Sequence, residues 1–283
     1  MAKYHIKKNG EKAICRATVR ACPRGGASQH FESVEDCDKA LDIMNEKAAK
    51  NEFAIARVGN KIVISEESKK SIRDLTTAQL NIEKIENTSK LIRNTIKDVF
   101  EELGVKKVNT EYGGLSVIAA SQRTVVDVDK MMEADIYSDY LKDSDRKSYV
   151  MFKIIGDEDG SKRKTLTKPD NFEVPFSKDD VVILDNGEAR LSERGLALIK
   201  NLRDIDLSLK EVKANHDEMR DKLNETMREE SLPGIKFGGS TWESVPETTA
   251  KIVDTQKMKD EGVYDEYTKK IDTVSSLRAR WAK

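Results

Sequence analysis

Residues from Phe53 onward and residues from Asp180 onward fall into phase when one run is laid over the other at an offset of 127. A repeat of this length constrains the fold more than any composition does, because both copies must obey the same rules and each offers the other a partner. The first matched element is a hairpin. Phe53–Val58, a turn at Gly59-Asn60 and Lys61–Ser65 stand against Val181–Leu184, a turn around Asn186-Gly187 and Glu188–Ser192. Both turns carry residues that tolerate positive φ between short apolar strands. Ser65 and Ser192 then coincide as N-caps of a following helix.

In that helix Leu75, Ala78, Ile82, Ile85, Ser89, Ile92, Ile96, Val99 and Leu103 alternate three and four apart, a heptad seam closed by Gly104. The second copy keeps the seam as Leu202, Ile205, Leu209, Val212, His216, Met219 and Leu223, losing it only in the last turn at Thr226 and Glu230. Even the polar break recurs, as Ser89 and His216. One polar seam residue commonly sets register, so His216 reads as a register device rather than a ligand or catalyst.

After each helix comes a Gly-Gly turn behind an aromatic residue, Tyr112-Gly113-Gly114 and Phe237-Gly238-Gly239, where the offset slips to 125. Phase 127 then returns. Thr124–Lys153 and Lys251–Arg280 share nine residues: Val126/Val253, Asp127/Asp254, Lys130/Lys257, Met131/Met258, Tyr137/Tyr264, Tyr140/Tyr267, Lys142/Lys269, Asp145/Asp272 and Ser148/Ser275. Average composition would supply about two. Sliding two unrelated heptad helices does not explain this, because the hairpins and C-terminal segments have no heptad period.

The expected fold is α+β: a tandem duplication of a β-hairpin, long heptad helix, Gly-Gly hairpin, short helix opened by Asp127 or Asp254, and last strand. It gives a head at 1–50, copies at 51–155 and 180–283, and a linker at 156–179 holding Pro169 and Pro175. The seams pair within one chain, or equally across a homodimer.

The charge sum hides an asymmetry. Lys+Arg number 50 against 51 Asp+Glu, which argues against a uniformly basic nucleic-acid binder or an acidic mimic. Yet residues 1–31 hold Lys3, Lys7, Lys8, Lys12, Arg16, Arg20 and Arg24 against Glu11 alone, a local +6 over a body at -7. The hydrophobic fraction of 37% lies below the usual ~45–50%, so long solvated helices fit better than one large core. No apolar run is long enough to span a membrane and the start lacks a signal-peptide core. A soluble, intracellular protein with no membrane contact is expected.

The head also carries His5, Cys15, Cys22, His30 and Cys37. Zinc takes four thiolates and imidazoles, and the first four supply two of each. Their spacings, with nine, six and seven residues intervening, match no common finger, so from spacing a zinc site stands beside structural or free thiols. A zinc site of this kind is closed and structural. Cys37 falls in a helix over Val34–Lys47 opened by Ser33, where it packs as a small apolar residue.

The strings KYHI, NG, CRA, CPRGG and HF followed by an acidic helix resemble a short N-terminal module that recurs at the front of otherwise unrelated bacteriophage and mobile-element proteins. His5, Cys15, Cys22, Gly25, Gly26 and His30 fall on its pattern, and Cys37 does not. The resemblance implies a two-Cys, two-His zinc site and an address or docking role. Residues 71–155, with ELGVKKVNT, RTVVDVDK and IYSDYLK, resemble phage early-region proteins, which implies the same origin and a helix-to-hairpin architecture.

Catalytic motifs are missing. No GxxxxGK[ST], GxGxxG or GxSxG stretch occurs. The calcium-loop start at Asp157 has Lys162 and Lys168 where Gly and Glu are needed. Three non-enzymatic functions are expected. The first is a phage accessory inhibitor, anti-CRISPR-like or anti-restriction-like, acting in the bacterial cytoplasm on a host protein or ribonucleoprotein through Tyr112, Gly113, Gly114, Phe237, Gly238 and Gly239. The second is a nucleic-acid-binding factor using the seven head cations, with Tyr112, Phe237, Tyr137 and Tyr264 stacking on bases or packing on a neighbouring helix. The third is a structural or virion-packaged protein that uses its head as an address.

Overall fold

The computed structural model describes residues 3–7, 9, 11–17, 22, 30–50, 52–154, 173–237 and 240–282. The chain opens with strands β1 (Lys3–Ile6) and β2 (Lys12–Cys15), helix α1 (Val34–Ala49) and the hairpin β3 (Ile55–Val58) and β4 (Lys61–Ile64). The long helix α2 (Glu66–Glu102) leads to β5 (Lys107–Thr110), β6 (Gly113–Ile118), β7 (Gln122–Val126), α3 (Val128–Glu133), β8 (Leu141–Arg146) and β9 (Tyr149–Ile154). The second half holds β10 (Val181–Ile183), β11 (Ala189–Leu191), α4 (Glu193–Glu229), β12 (Gly234–Phe237), β13 (Ser240–Val245), β14 (Thr248–Val253), α5 (Thr255–Asp260), β15 (Thr268–Asp272) and β16 (Ser276–Trp281).

The architecture is mixed α+β with small antiparallel sheets. The bounds of α4, β12, β13, α5 and β16 each lie 127 positions after those of α2, β5, β6, α3 and β9. The slip to 125 at the glycine pairs therefore does not occur: Gly113 matches Ser240. The turn residues of the first hairpin are Glu111 and Tyr112, since Thr110 pairs with Gly113. Gly113 itself is a strand residue at φ 140°, where a Cβ would collide with the Arg280 carbonyl oxygen on β16. Close approach, not turning, requires it. Gly238 and Gly239 lie outside the described residues.

Two compact units emerge. One comprises Met1–Asn81, Lys147–Thr165 and Val212–Glu247, the other Ile82–Arg146, Leu166–Glu211 and Thr248–Lys283. The expected segments 51–155 and 180–283 are each divided between them. The reason is strand pairing: β9 joins β13 and β12 in the first unit, while β16 joins β6 and β5 in the second.

In the first unit Ile72 and Leu75 of α2 share a core with Leu223 and Met227 of α4, under Trp242 and Val150 of the sheet. In the second, Ile92, Ile96 and Phe100 meet Leu198, Ile199 and Leu202. No seam position is exposed; Leu75 and Leu223 in the first unit, and Ile92, Ile96 and Leu202 in the second, are buried by residues of the same chain. At the polar breaks, Ser89 Oγ donates to Asp206 at 3.0 Å, which also binds Arg93. His216 is buried beside Trp242, ring centroids 6.4 Å apart, and burial pushes its imidazole pKa down while Asp217 opposes the shift.

Local chemistry sets the helix ends. Ser65 Oγ accepts from the Ser68 N–H and Ser192 Oγ from the Gly195 N–H, both at 3.0 Å. Gly104, at φ 69°, lets the Val105 N–H reach back to the Phe100 carbonyl at 2.8 Å. Ser231, at φ 50°, repeats the device with a 2.8 Å bond from Leu232 to Met227.

The two hairpins at the helix starts differ instructively. Ser65 N–H bonds the Ala54 carbonyl and Ser192 N–H the Asp180 carbonyl, at 3.0 and 2.9 Å. Ala54 therefore matches Asp180, an offset of 126 rather than 127 in this strand. In the first unit Ala54, Ala56 and Val63 are buried under α1. The corresponding face of the second hairpin presents Asp180, Val182 and Arg190, and a brace replaces the helix. Asp180, 2% exposed, accepts from Ser177 N–H at 2.9 Å, Ser192 Oγ at 2.8 Å and the Arg194 guanidinium at 2.6 and 2.8 Å. Part of the expected linker belongs here too: Val174 and Phe176 pack into the second unit's core, with Phe176 against Phe100 at 6.2 Å. Residues 155–172 lie outside the described residues.

The Arg194 guanidinium, with the Ser177 N–H, holds the Asp180 carboxyl well below the usual carboxylate range against the opposing effect of burial. A depressed pKa means the folded state resists protonation more than the unfolded chain, which titrates near ~3.9. Its stabilisation is full above that value and is lost as pH falls below it. Asp180→Asn is expected to cost about 1–3 kcal/mol at neutral pH and to flatten the acid limb of a denaturation-versus-pH series.

Candidate metal centre

The head is built by a hairpin and one bridge. In the β1–β2 ladder His5 faces Ala13 and Lys3 faces Cys15, so His5 and Cys15 share one face of the ribbon and Tyr4 and Ile6 the other. Tyr4 and Ile6 pack on Phe31, Cys37, Ala40 and Met44. Tyr4 and Phe31 exchange two backbone hydrogen bonds of 2.8 Å, which sets His30 beside His5. Their rings lie edge to face, 5.4 Å between centroids.

Cys22 completes the group, its Sγ 3.6 Å from His5 Nδ1. The ligand atoms of His5, Cys15, Cys22 and His30 all lie within 4.8 Å of one another. A tetrahedral zinc with bonds of about 2.0–2.3 Å asks for ligand separations of about 3.3–3.8 Å, so the four need draw in only slightly. Two thiols and two imidazoles around one point are a donor set that fits this metal. Cys22 and His30 are buried, while His5 and Cys15 are half-buried. Cys37 stands apart, fully buried on the inner face of α1, where burial pushes its thiol pKa up.

Of the seven head cations, Lys3, Lys7, Lys12 and Arg16 are described; Lys8, Arg20 and Arg24 are outside the described residues. Lys7 pairs with Glu11 at 3.1 Å, a charge the +6 already counts, and Lys12 with Asp38 at 2.8 Å, so one further charge of the head is neutralised locally. The aromatic residues suggested for contacts pack inward. Tyr112 lies on the second unit's core, Phe237 on the first's with the Arg73 guanidinium 4.7 Å above its ring, and Tyr137 and Tyr264 share a cluster with Met131 and Met258.

Lys47 escaped the sequence reading. It lies on α1, 6% exposed, with Nζ 2.8 Å from Glu229 and 3.4 Å from Glu230. Burial alone would lower its pKa, but the two carboxylates hold it raised. A signal was present: Glu229-Glu230 end a helix whose C-terminal dipole disfavours acids, so they called for a cation. Through this pair and the apolar face of α1 the head is fixed to β3, β4 and the end of α4. Comparison with family models, with curated proteins and with solved structures finds no match to this chain.

Proposed function

We propose that the chain is a non-enzymatic accessory protein of the bacteriophage kind, which binds and inhibits a host defence or nucleic-acid-processing protein in the bacterial cytoplasm. In this reading one structural zinc ion holds the head, and the body is a tandem duplication whose heptad helices pair within the chain. The observation that carries it is the convergence of His5, Cys15, Cys22 and His30 within 4.8 Å. Those residues fill all four positions of a tetrahedral ion and leave none for a substrate. Among the described residues no other group of three or more His, Cys, Asp or Glu converges as a metal site. A closed metal anchored by Lys47 to the body makes a rigid docking head rather than a reaction centre.

The test is capture followed by inhibition. The immobilised full-length chain should retain one host protein in stoichiometric amount, and that protein's activity should fall to near zero at one equivalent. Cys22→Ser should lose both effects. Capture without loss of the target's activity would count against inhibition, and no capture against the whole reading.

Lys3, opposite Cys15 on the ligand face, and Arg16 favour a second reading, phosphate contact by the head. If all seven cations met single-stranded nucleic acid, log K would fall with log salt at a slope of about -5. A slope near zero would remove this reading.

A further inference from the structure

The nine residues that Thr124–Lys153 and Lys251–Arg280 share lie where each half touches the other. Lys142 Nζ lies 3.0 Å from Asp254, and Lys269 Nζ lies 3.0 Å from Asp127. Lys257 Nζ stands 5.3 Å above the Tyr140 ring, and Lys130 Nζ 5.3 Å above that of Tyr267. The Asp127 N–H donates to the Tyr267 carbonyl at 2.9 Å, and Asp254 N–H to that of Tyr140 at 2.7 Å. Met131 and Met258, both fully buried, meet in one cluster.

The reciprocity extends beyond this cluster. Asp145 accepts from Thr249 at 3.2 Å and Asp272 from Gln122 at 3.0 Å. Ser148 accepts from Asn224 at 3.3 Å and Ser275 from Lys97 at 3.4 Å. Strand β8 pairs with β14 and β15 with β7, while β9 and β16 each complete the opposite half's sheet. Repeats that fold as separate domains keep residues that serve their own core. Here residue i of one half meets residue j of the other, and the counterpart of j meets the counterpart of i. That is the defining pattern of an isologous, twofold interface.

We infer that the repeated unit is a self-recognition module, and that the chain is a covalently joined pseudo-twofold dimer of it. The partner that each half fits is a second copy of the same unit. This rests on the duplication reading above. Joining raises the effective concentration of one half at the other, so the pair in one chain has been free to diverge elsewhere while keeping the contacts that cross between halves.

The test uses the full chain with a protease site inserted in the 156–172 segment. After cleavage the two fragments should co-elute at the mass of the intact chain with an unchanged far-ultraviolet spectrum. The cleaved protein is then unfolded, refolded and weighed by native mass spectrometry. Alongside the mixed pair, a species of twice the N-terminal fragment's mass should form, because Lys142 then finds Asp127, and Lys130 finds Tyr140, on a second copy. A mixed pair with no N-terminal homodimer overturns self-recognition and leaves the duplication standing. Fragments that separate on cleavage overturn self-recognition and the pairing of the heptad helices within the chain.

Discussion

Trp242→Ala is expected to lower the stability of the protein by about 3–5 kcal/mol, the range for emptying a buried tryptophan site. The side chain is fully buried on β13 among Phe53, Ile55, Ile72, Leu75 and Leu223. It also holds a polar link: Nε1 donates to Thr76 Oγ1 at 3.3 Å, which in turn lies 3.2 Å from Ser240 Oγ. Phe152 packs on the ring at 4.8 Å. One residue thus ties α2, α4, β9 and β13 together, and alanine removes packing from all four. Equilibrium denaturation followed by circular dichroism measures the loss. A midpoint unchanged within error would mean that the core of the first unit is not built on this side chain.

Cys22→Ser is expected to abolish stoichiometric zinc and to unfold β1 and β2. Removing one of four ligands breaks a site whose binding free energy, about 10–16 kcal/mol in small zinc modules, serves as folding free energy. Among the described residues of the head before α1, Tyr4, Ile6 and Phe31 supply one apolar face. Hydrogen exchange should show the ribbon amides losing protection while those of α2 and α4 keep theirs, and α1 should stay folded through Cys37, Ala40 and Met44. A metal chelator should reproduce the pattern in the unaltered chain. Equal protection of β1 and β2 with and without chelator would contradict the metal's structural role.

What was legible in advance followed the range of the physics. The N-caps Ser65, Ser192, Asp127 and Asp254 depend on neighbours a few residues away, and each holds its helix. The heptad seam is periodic, and none of its positions is exposed. The four ligand residues stood out because their types are scarce, with three His and three Cys in the chain. Partner choice was not legible, because it is decided by residues more than a hundred positions apart. Nothing local tells β9 to join β13, or explains Gly113 until β16 lies against it. Phe176 was hidden in a charge-rich stretch, and Lys47 among exposed-looking helix charges. The nine residues shared at one offset did not reveal that they would lie against the opposite half.

Native mass spectrometry of the purified full-length chain tests the metal-held head most directly. The predicted result is one zinc per chain, with protons displaced from Cys15 and Cys22, and the mass of the metal-free polypeptide for Cys22→Ser. A chain isolated from zinc-replete cells at the metal-free mass, with both thiols open to alkylation, would contradict it.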